Sequence, residues 1–96
     1  MQPEASKRFK ALANENRLAI FKYLRKHERV CVSPQEGCNV GDIARQFDLA
    51  LSTVSHHLRV LHEAGLIECE QRGQYTYCII NQQAVDELQA FFSSGQ

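Results

Sequence analysis

The hydrophobic period of this chain changes from helical to strand-like at Gly65, and that change restricts the folds open to it. Before Gly65, apolar residues recur at three- and four-residue steps, the spacing of amphipathic helices. After it come two β-favouring runs, Leu66–Gln71 and Tyr75–Ile80, around Arg72-Gly73-Gln74. Two such runs predict a hairpin, and the Gly-X pair at its tip suits a type II′ turn. A hairpin closing at Gly73-Gln74 sets Cys69 opposite Cys78, Ile67 opposite Ile80 and Gln71 opposite Thr76, all on one face. With Ile67 and Ile80 turned inward, both cysteines are expected to be buried, inert core thiols.

The helical part divides at its polar punctuation. A short helix is expected over Lys7–Ala13. Asn14 suits the N-cap of a second helix, from Arg17 to about His27, with Leu18, Phe21 and Leu24 on its apolar face and Ile20 and Tyr23 beside them. Val30–Gly37 contains Pro34 and Gly37 and breaks the pattern. Asn39 then suits the cap of a third helix, Val40–Phe47, where Asp42 complements the positive end and Val40, Ile43, Ala44 and Phe47 face the core. Asp48–Leu51 is a tight connection. Ser52 suits the cap of a fourth helix, Thr53–Ala64, and Gly65 the left-handed residue that ends it. Asn81 suits the cap of a last helix bearing Ala84, Val85, Leu88, Phe91 and Phe92.

Helix, helix, turn, helix, hairpin is the order of a winged helix. The predicted fold class is therefore mainly α with a small β-hairpin: a winged helix–turn–helix of four helices, a hairpin wing over about 66–80 and a fifth helix. Residues 1–96 read as a single domain with an ordered core over about 5–92, and no repeat or linker interrupts it. A domain this small is marginally stable alone. Its leftover apolar face, Leu88, Phe91 and Phe92 with Phe9 and Leu12, is expected to be covered by a second copy. No apolar run approaches the roughly 18 residues of a membrane span, and the polar start MQPEASKRFK shows no signal peptide. The expected location is cytoplasmic, with no membrane partner and with the cysteines reduced at rest.

The formal net charge is zero, but its distribution is polar. Residues 1–30 carry eight Lys/Arg against three Glu, and residues 61–96 carry Arg72 against five acids. DNA binding needs a basic surface at the contact rather than a basic total. Lys22, Arg25, Lys26 and Arg29 read mainly as a solvated helix face.

At about 100° per residue the fourth helix places Val54, Leu58 and Leu61 on one stripe. Ser52, Ser55, His56, Arg59 and Glu63 fall on the other side. Any amphipathic helix has a polar side, but a merely solvated one more often carries Glu and Lys in its first turns. Here small hydroxyls, an imidazole and a guanidinium precede the hairpin, and such groups enter a major groove without filling it. Ser52, Thr53, Ser55, His56, His57 and Arg59 are the candidate DNA contacts on this helix. His57 stands at the edge of the buried stripe, with a structural or phosphate-contact role, and His62 reads as a packing residue. Arg72 and Gln74 at the hairpin tip are the candidate wing contacts, against the alternative of a solvated turn.

"FKALANENRLAIFKYL" (Phe9–Leu24), "LSTVSHHLRVLHEAGLI" (Leu51–Ile67) and "RGQYTYCI" (Arg72–Ile79) together resemble the ArsR/SmtB family of small winged-helix repressors. The resemblance implies a homodimer built from the first and last helices, a double-stranded palindromic DNA operator as partner, and the fourth helix as reader. It further implies release from DNA when a metal, metalloid or reactive sulfur or oxygen species binds. The chain departs from the family's metal boxes. Cys38 lies one residue before the first position of the Cys-x-Cys box, and Gly41 occupies the second. The last helix has Asp86 and Glu87 but no His, and no cysteine for a dithiol sulfur sensor.

Cys31 and Cys38 bracket the loop ahead of the third helix. As thiolates they suit a thiophilic metal or metalloid ion, or a disulfide. As small apolar loop residues they need no function. A cross-strand Cys69–Cys78 redox pair ranks below the packing reading. Two other classes of function stand beside the DNA-binding repressor. A winged-helix protein–protein interaction module without DNA binding fits the zero net charge. An enzyme finds no support, since the chain has no Ser–His–Asp set, Gly-rich phosphate loop or HExxH motif.

Overall fold

Asn14 starts the first well-defined turn of the molecule: its side-chain oxygen accepts from the Arg17 amide at 3.0 Å, as the N-cap reading requires. The computed structural model describes residues 3–27, 29–33 and 39–93. Among them, α1 (Pro3–Leu12) and α2 (Glu15–Lys26) lead into a two-residue strand, β1 (Val30–Cys31). There follow α3 (Val40–Gln46), α4 (Leu51–Glu63), the hairpin β2 (Ile67–Arg72) and β3 (Tyr75–Ile80), and α5 (Gln82–Ser93).

The hairpin register is the one read from the turn: Ile67 pairs with Ile80, Cys69 with Cys78 and Gln71 with Thr76. Gly73 sits at φ 60°, the positive value a type II′ turn demands of its first central residue. Strand β1 is an addition to the expected hairpin. It pairs antiparallel with β3, Val30 with Cys78 and Cys31 with Tyr77, giving the sheet order β1-β3-β2. The break after α2 thus contains a strand too short for a periodicity signal.

Helix α4 is stopped at both flanks by the same device. After α3, Asp48 takes φ 54°, and the Leu49 amide reaches back to the Ala44 carbonyl at 2.9 Å. After α4, Gly65 takes φ 78°, and the Leu66 amide reaches the Leu61 carbonyl at 3.0 Å. Both are Schellman closures, in which a left-handed residue turns the chain and satisfies orphan carbonyls. The expected caps of α3 and α4 are corrected. Asn39 precedes α3 but makes no side-chain cap bond to it; its Oδ1 accepts instead from the Cys31 amide at 2.6 Å. Helix α4 begins one residue ahead of Ser52, and its N-cap position is Ala50. Asn81 does cap α5, through the Ala84 amide, while its side-chain NH2 donates to the Gly65 carbonyl at 2.8 Å.

The core gathers one stripe from each element: Ile20, Phe21 and Leu24 of α2, Ile43 and Ala44 of α3, Val54, Leu58 and Leu61 of α4, Ile67 and Cys78 of the sheet, and Ala84 and Val85 of α5. Leu18, expected on the α2 core face, is 41% exposed. Two arginines tie the backbone of the helices together. Arg8 donates to the Ala64 carbonyl at 3.2 Å and pairs with Glu87 at 2.6 Å, joining α1 to the end of α4 and to α5. Arg17 donates to the Ala11 carbonyl at 2.7 Å.

Leu61 is fully buried at the crossing of α4 with the rest of the core. Leu61→Ala is expected to destabilise the fold by about 2–5 kcal/mol. Chemical denaturation should show this as a lower midpoint with an unchanged slope.

Candidate nucleic-acid interface

Burial sorts the α4 side chains into two sets. Val54, His57, Leu58 and Leu61 are buried, and Ser52, Ser55, His56, Arg59 and Glu63 are exposed. The polar face of the helix is therefore the face read from the sequence, with one correction. His57 is only 7% exposed and turns toward α2, so it is not available to a groove. Arg17 Nη1 lies 3.4 Å from His57 Nδ1. Arginine only donates, so Nδ1 accepts, and the imidazole is neutral with its proton on Nε2. Burial chiefly, then the charge of Arg17 and then His56, hold the His57 pKa below its ordinary value of 6.5. His57 is thus a positioning residue that fixes α4 against α2.

On the outer face, Arg59 Nη2 lies 3.1 Å from His56 Nδ1, which keeps the guanidinium over the preceding turn. Thr53 is half-buried. The amides of the first turn have no acceptor within the helix, and Ala50 supplies no side-chain cap. They and the positive end of the helix dipole face outward together with Ser52, an arrangement that suits phosphate oxygen. Leu51, expected in the connection, is the first residue of α4 and 56% exposed. It supplies an apolar group suited to a thymine methyl. Its one signal in sequence was a leucine outside the Val54–Leu58–Leu61 stripe.

At the wing, Arg72 and Gln74 are both exposed. Arg72 is held by an ion pair to Glu70 on the same strand face. Gln71 braces the turn, donating to the Gly73 carbonyl at 3.0 Å and accepting from the Thr76 hydroxyl at 3.1 Å. The wing tip is thereby stiffened from the β2–β3 face that bears the cysteines.

The apolar face gathers as expected from the two ends of the chain. Phe9 makes edge contacts with Phe91 and Phe92, at ring separations of 5.4 and 5.5 Å. Phe9 and Phe92, with Leu12, Leu18, Phe21 and Leu88, line an open groove of about 380 Å³. Phe92 remains 71% exposed.

A helix–turn–helix domain model matches residues 12–70. The HTH-type transcriptional regulator YbzH of Bacillus subtilis is 36% identical, over 90% of this chain and 92% of its own. The arsenical resistance operon repressor of the same organism is 35% identical, over 84% and 70%. The chain belongs to the ArsR/SmtB family. Among solved structures, a homodimeric winged helix–turn–helix DNA-binding domain of Mycobacterium bovis superposes with a TM-score of 0.68. It is 27% identical, and the match covers 96% of this chain and 78% of that one.

The cysteines separate into two kinds. Cys31 is disulfide-bonded, and Cys38 lies outside the described residues. Cys69 and Cys78 are free, and the expectation that both are buried is corrected: Cys69 is exposed on the edge strand β2, while Cys78 is buried on β3, which lies between β1 and β2. Burial, reinforced by the neighbouring Cys69 sulfur, pushes the Cys78 thiol up to about 12. His62 is also exposed rather than packed. Among the described residues, no group of three or more His, Cys, Asp or Glu is placed to hold a metal ion.

The lowered His57 pKa has a consequence for stability. Above pH 6.5 the ring is neutral folded and unfolded, and it adds no pH dependence. Below that value the unfolded chain takes up the proton first, so acid favours unfolding. The melting temperature is expected to fall from pH 7.5 to 5.5, and the fall should be shallower in His57→Gln, which keeps an acceptor but does not titrate.

Proposed function

We propose that this protein is a homodimeric repressor that reads an operator with the exposed face of α4 and the wing tip, and releases it when Cys31 and Cys38 are oxidised. The observation that carries the DNA reading is the outer face of α4. Ser52, Ser55, His56 and Arg59 project from a helix whose other side is locked into the core. Thr53 and Leu51 extend that face at the helix start, and Arg72 and Gln74 add contacts from the wing. The transcription-regulator names of the relatives support the same reading.

The second copy is assigned to the groove along α1, α2 and α5. Phe92 and Leu18 are too apolar and too exposed for a monomer's surface, and the groove between them is open. Two-fold pairing there presents two α4 helices to successive turns of one DNA face.

For the signal, the residues around Cys31 are read through its disulfide, which withholds that sulfur from a metal ion. They fit a thiol switch. In this reading the partner of Cys31 is Cys38, which brackets the same loop in the sequence and lies outside the described residues. The pair closes by giving two electrons and two protons to a hydroperoxide, which leaves as alcohol and water. Cys31 bonds to Asn39 at the start of α3 and pairs with Tyr77 of β3. Closure therefore acts on the joint between the wing and the helix–turn–helix.

Fluorescence anisotropy on duplex DNA from upstream of its own gene tests this. Reduced protein is expected to bind with an affinity that falls steeply with salt. Arg59→Ala and Arg72→Ala should each weaken binding and lower the salt slope by about one. Hydroperoxide should release the wild type and leave Cys31→Ser bound. Absence of binding to any duplex would instead favour a protein-interaction module. Sedimentation at micromolar concentration should show a dimer, and Phe92→Asp should shift it to monomer.

A further inference from the structure

Strand alternation puts Glu70, Arg72, Tyr77 and Ile79 on the face of the wing opposite Cys69 and Cys78. Between that face and the end of α2 lies a cavity of about 450 Å³. Arg25 reaches it from the last turn of α2, Arg29 from the residue before β1, and Arg72 from the end of β2. Ile79 and Ile80, both half-buried, give it an apolar lining. We propose that this cavity binds a small phosphate monoester, with its phosphate held by the three guanidinium groups and its organic group on the two isoleucines.

The charges select an anion, and their number selects its kind. Three guanidinium groups line the cavity against one carboxylate, Glu70, which is already paired with Arg72. Arg25 and Arg29, read from the sequence as a solvated face, pair with no carboxylate among the described residues. The lining thus holds two positive charges in excess, in a concave space where a field of one sign is focused. A phosphate monoester carries about −1.5 to −2 at pH 7 and offers three terminal oxygens. Guanidinium forks arriving from three elements can each take one of them in a charge-assisted bond. A carboxylate brings one charge and two oxygens.

The cations are also held in position. The Arg29 guanidinium lies 5.1 Å from the centre of the Tyr77 ring, a contact that leaves its N–H edge free for an acceptor. His27, whose ring packs on Tyr23 at 4.2 Å, adds a ring nitrogen to the lining. A DNA backbone shares the phosphate chemistry, but its diesters carry one charge each along a convex strand and leave the isoleucines uncovered. A small ligand fills the cavity, whose volume is in the range of such sites.

Isothermal titration calorimetry on the full chain, with phenyl phosphate as probe, tests this. One phenyl phosphate per chain is expected, bound more tightly than inorganic phosphate because the ring covers Ile79 and Ile80. Arg25→Ala and Arg29→Ala, both at exposed positions, should each weaken binding by about tenfold. Lys26→Ala removes the same charge from the same helix outside the cavity and should leave binding unchanged. No saturable binding, or binding that survives both arginine substitutions, would overturn the site. Inorganic phosphate bound as tightly as phenyl phosphate would overturn the place given to the organic group. On duplex DNA, Arg25→Ala and Arg29→Ala should bind like the wild type. A loss of DNA affinity as large as that of Arg72→Ala, with no phenyl phosphate bound, would make these arginines backbone contacts and sink the small-ligand site. The calorimetry contains no DNA, so its outcome does not depend on the repressor reading.

Discussion

Burial of the Val54–Leu58–Leu61 stripe is the interaction on which the rest of the molecule depends. These side chains enter a core that also contains Ile20, Leu24, Ile43 and Ile67, so α4 is anchored through one face. A helix fixed on one side has no freedom to roll, and its other side becomes a defined surface. His57 adds a polar lock at the edge of that stripe, through Arg17. The exposed hydroxyls and Arg59 owe their common direction to apolar contacts they do not make.

The ends of α4 matter as much as its faces. Asp48 and Gly65 each take a left-handed conformation and close the preceding helix with the same pair of backbone bonds. The first closure sets α3 behind α4, and the second sends the chain straight into the wing. A Cβ at Gly65 would stand 3.3 Å from the Arg8 guanidinium, on a backbone that L side chains rarely adopt. The helix, its support and its wing are thus held by two turns, and Arg8 joins the second of them to α1 and α5.

Cys31 stands at one of these joints, on β1 beside the start of α3. Cys31 reaches α3 through Asn39, whose side chain is spent on β1 instead of on its own helix.

The sequence by itself determined the five helices and the hairpin, the hairpin register and the polar face of α4. All three follow from local rules: hydrophobic period, the φ available to glycine, and the alternation of a strand. Gly73 alone fixes which cysteines stand opposite one another. Only the tertiary structure decided which groups at the margins are buried. His57 and Leu18 sit at stripe edges, where period gives no answer and the packing of α2 decides. Cys69 alternates inward like Cys78 but is exposed, because it lies on the edge strand β2, whereas β3 is flanked on both sides. Strand β1 and the bond from Asn39 to Cys31 depend on a partner dozens of residues away in β3 and on a turn of the chain. No local signal carries a contact of that range.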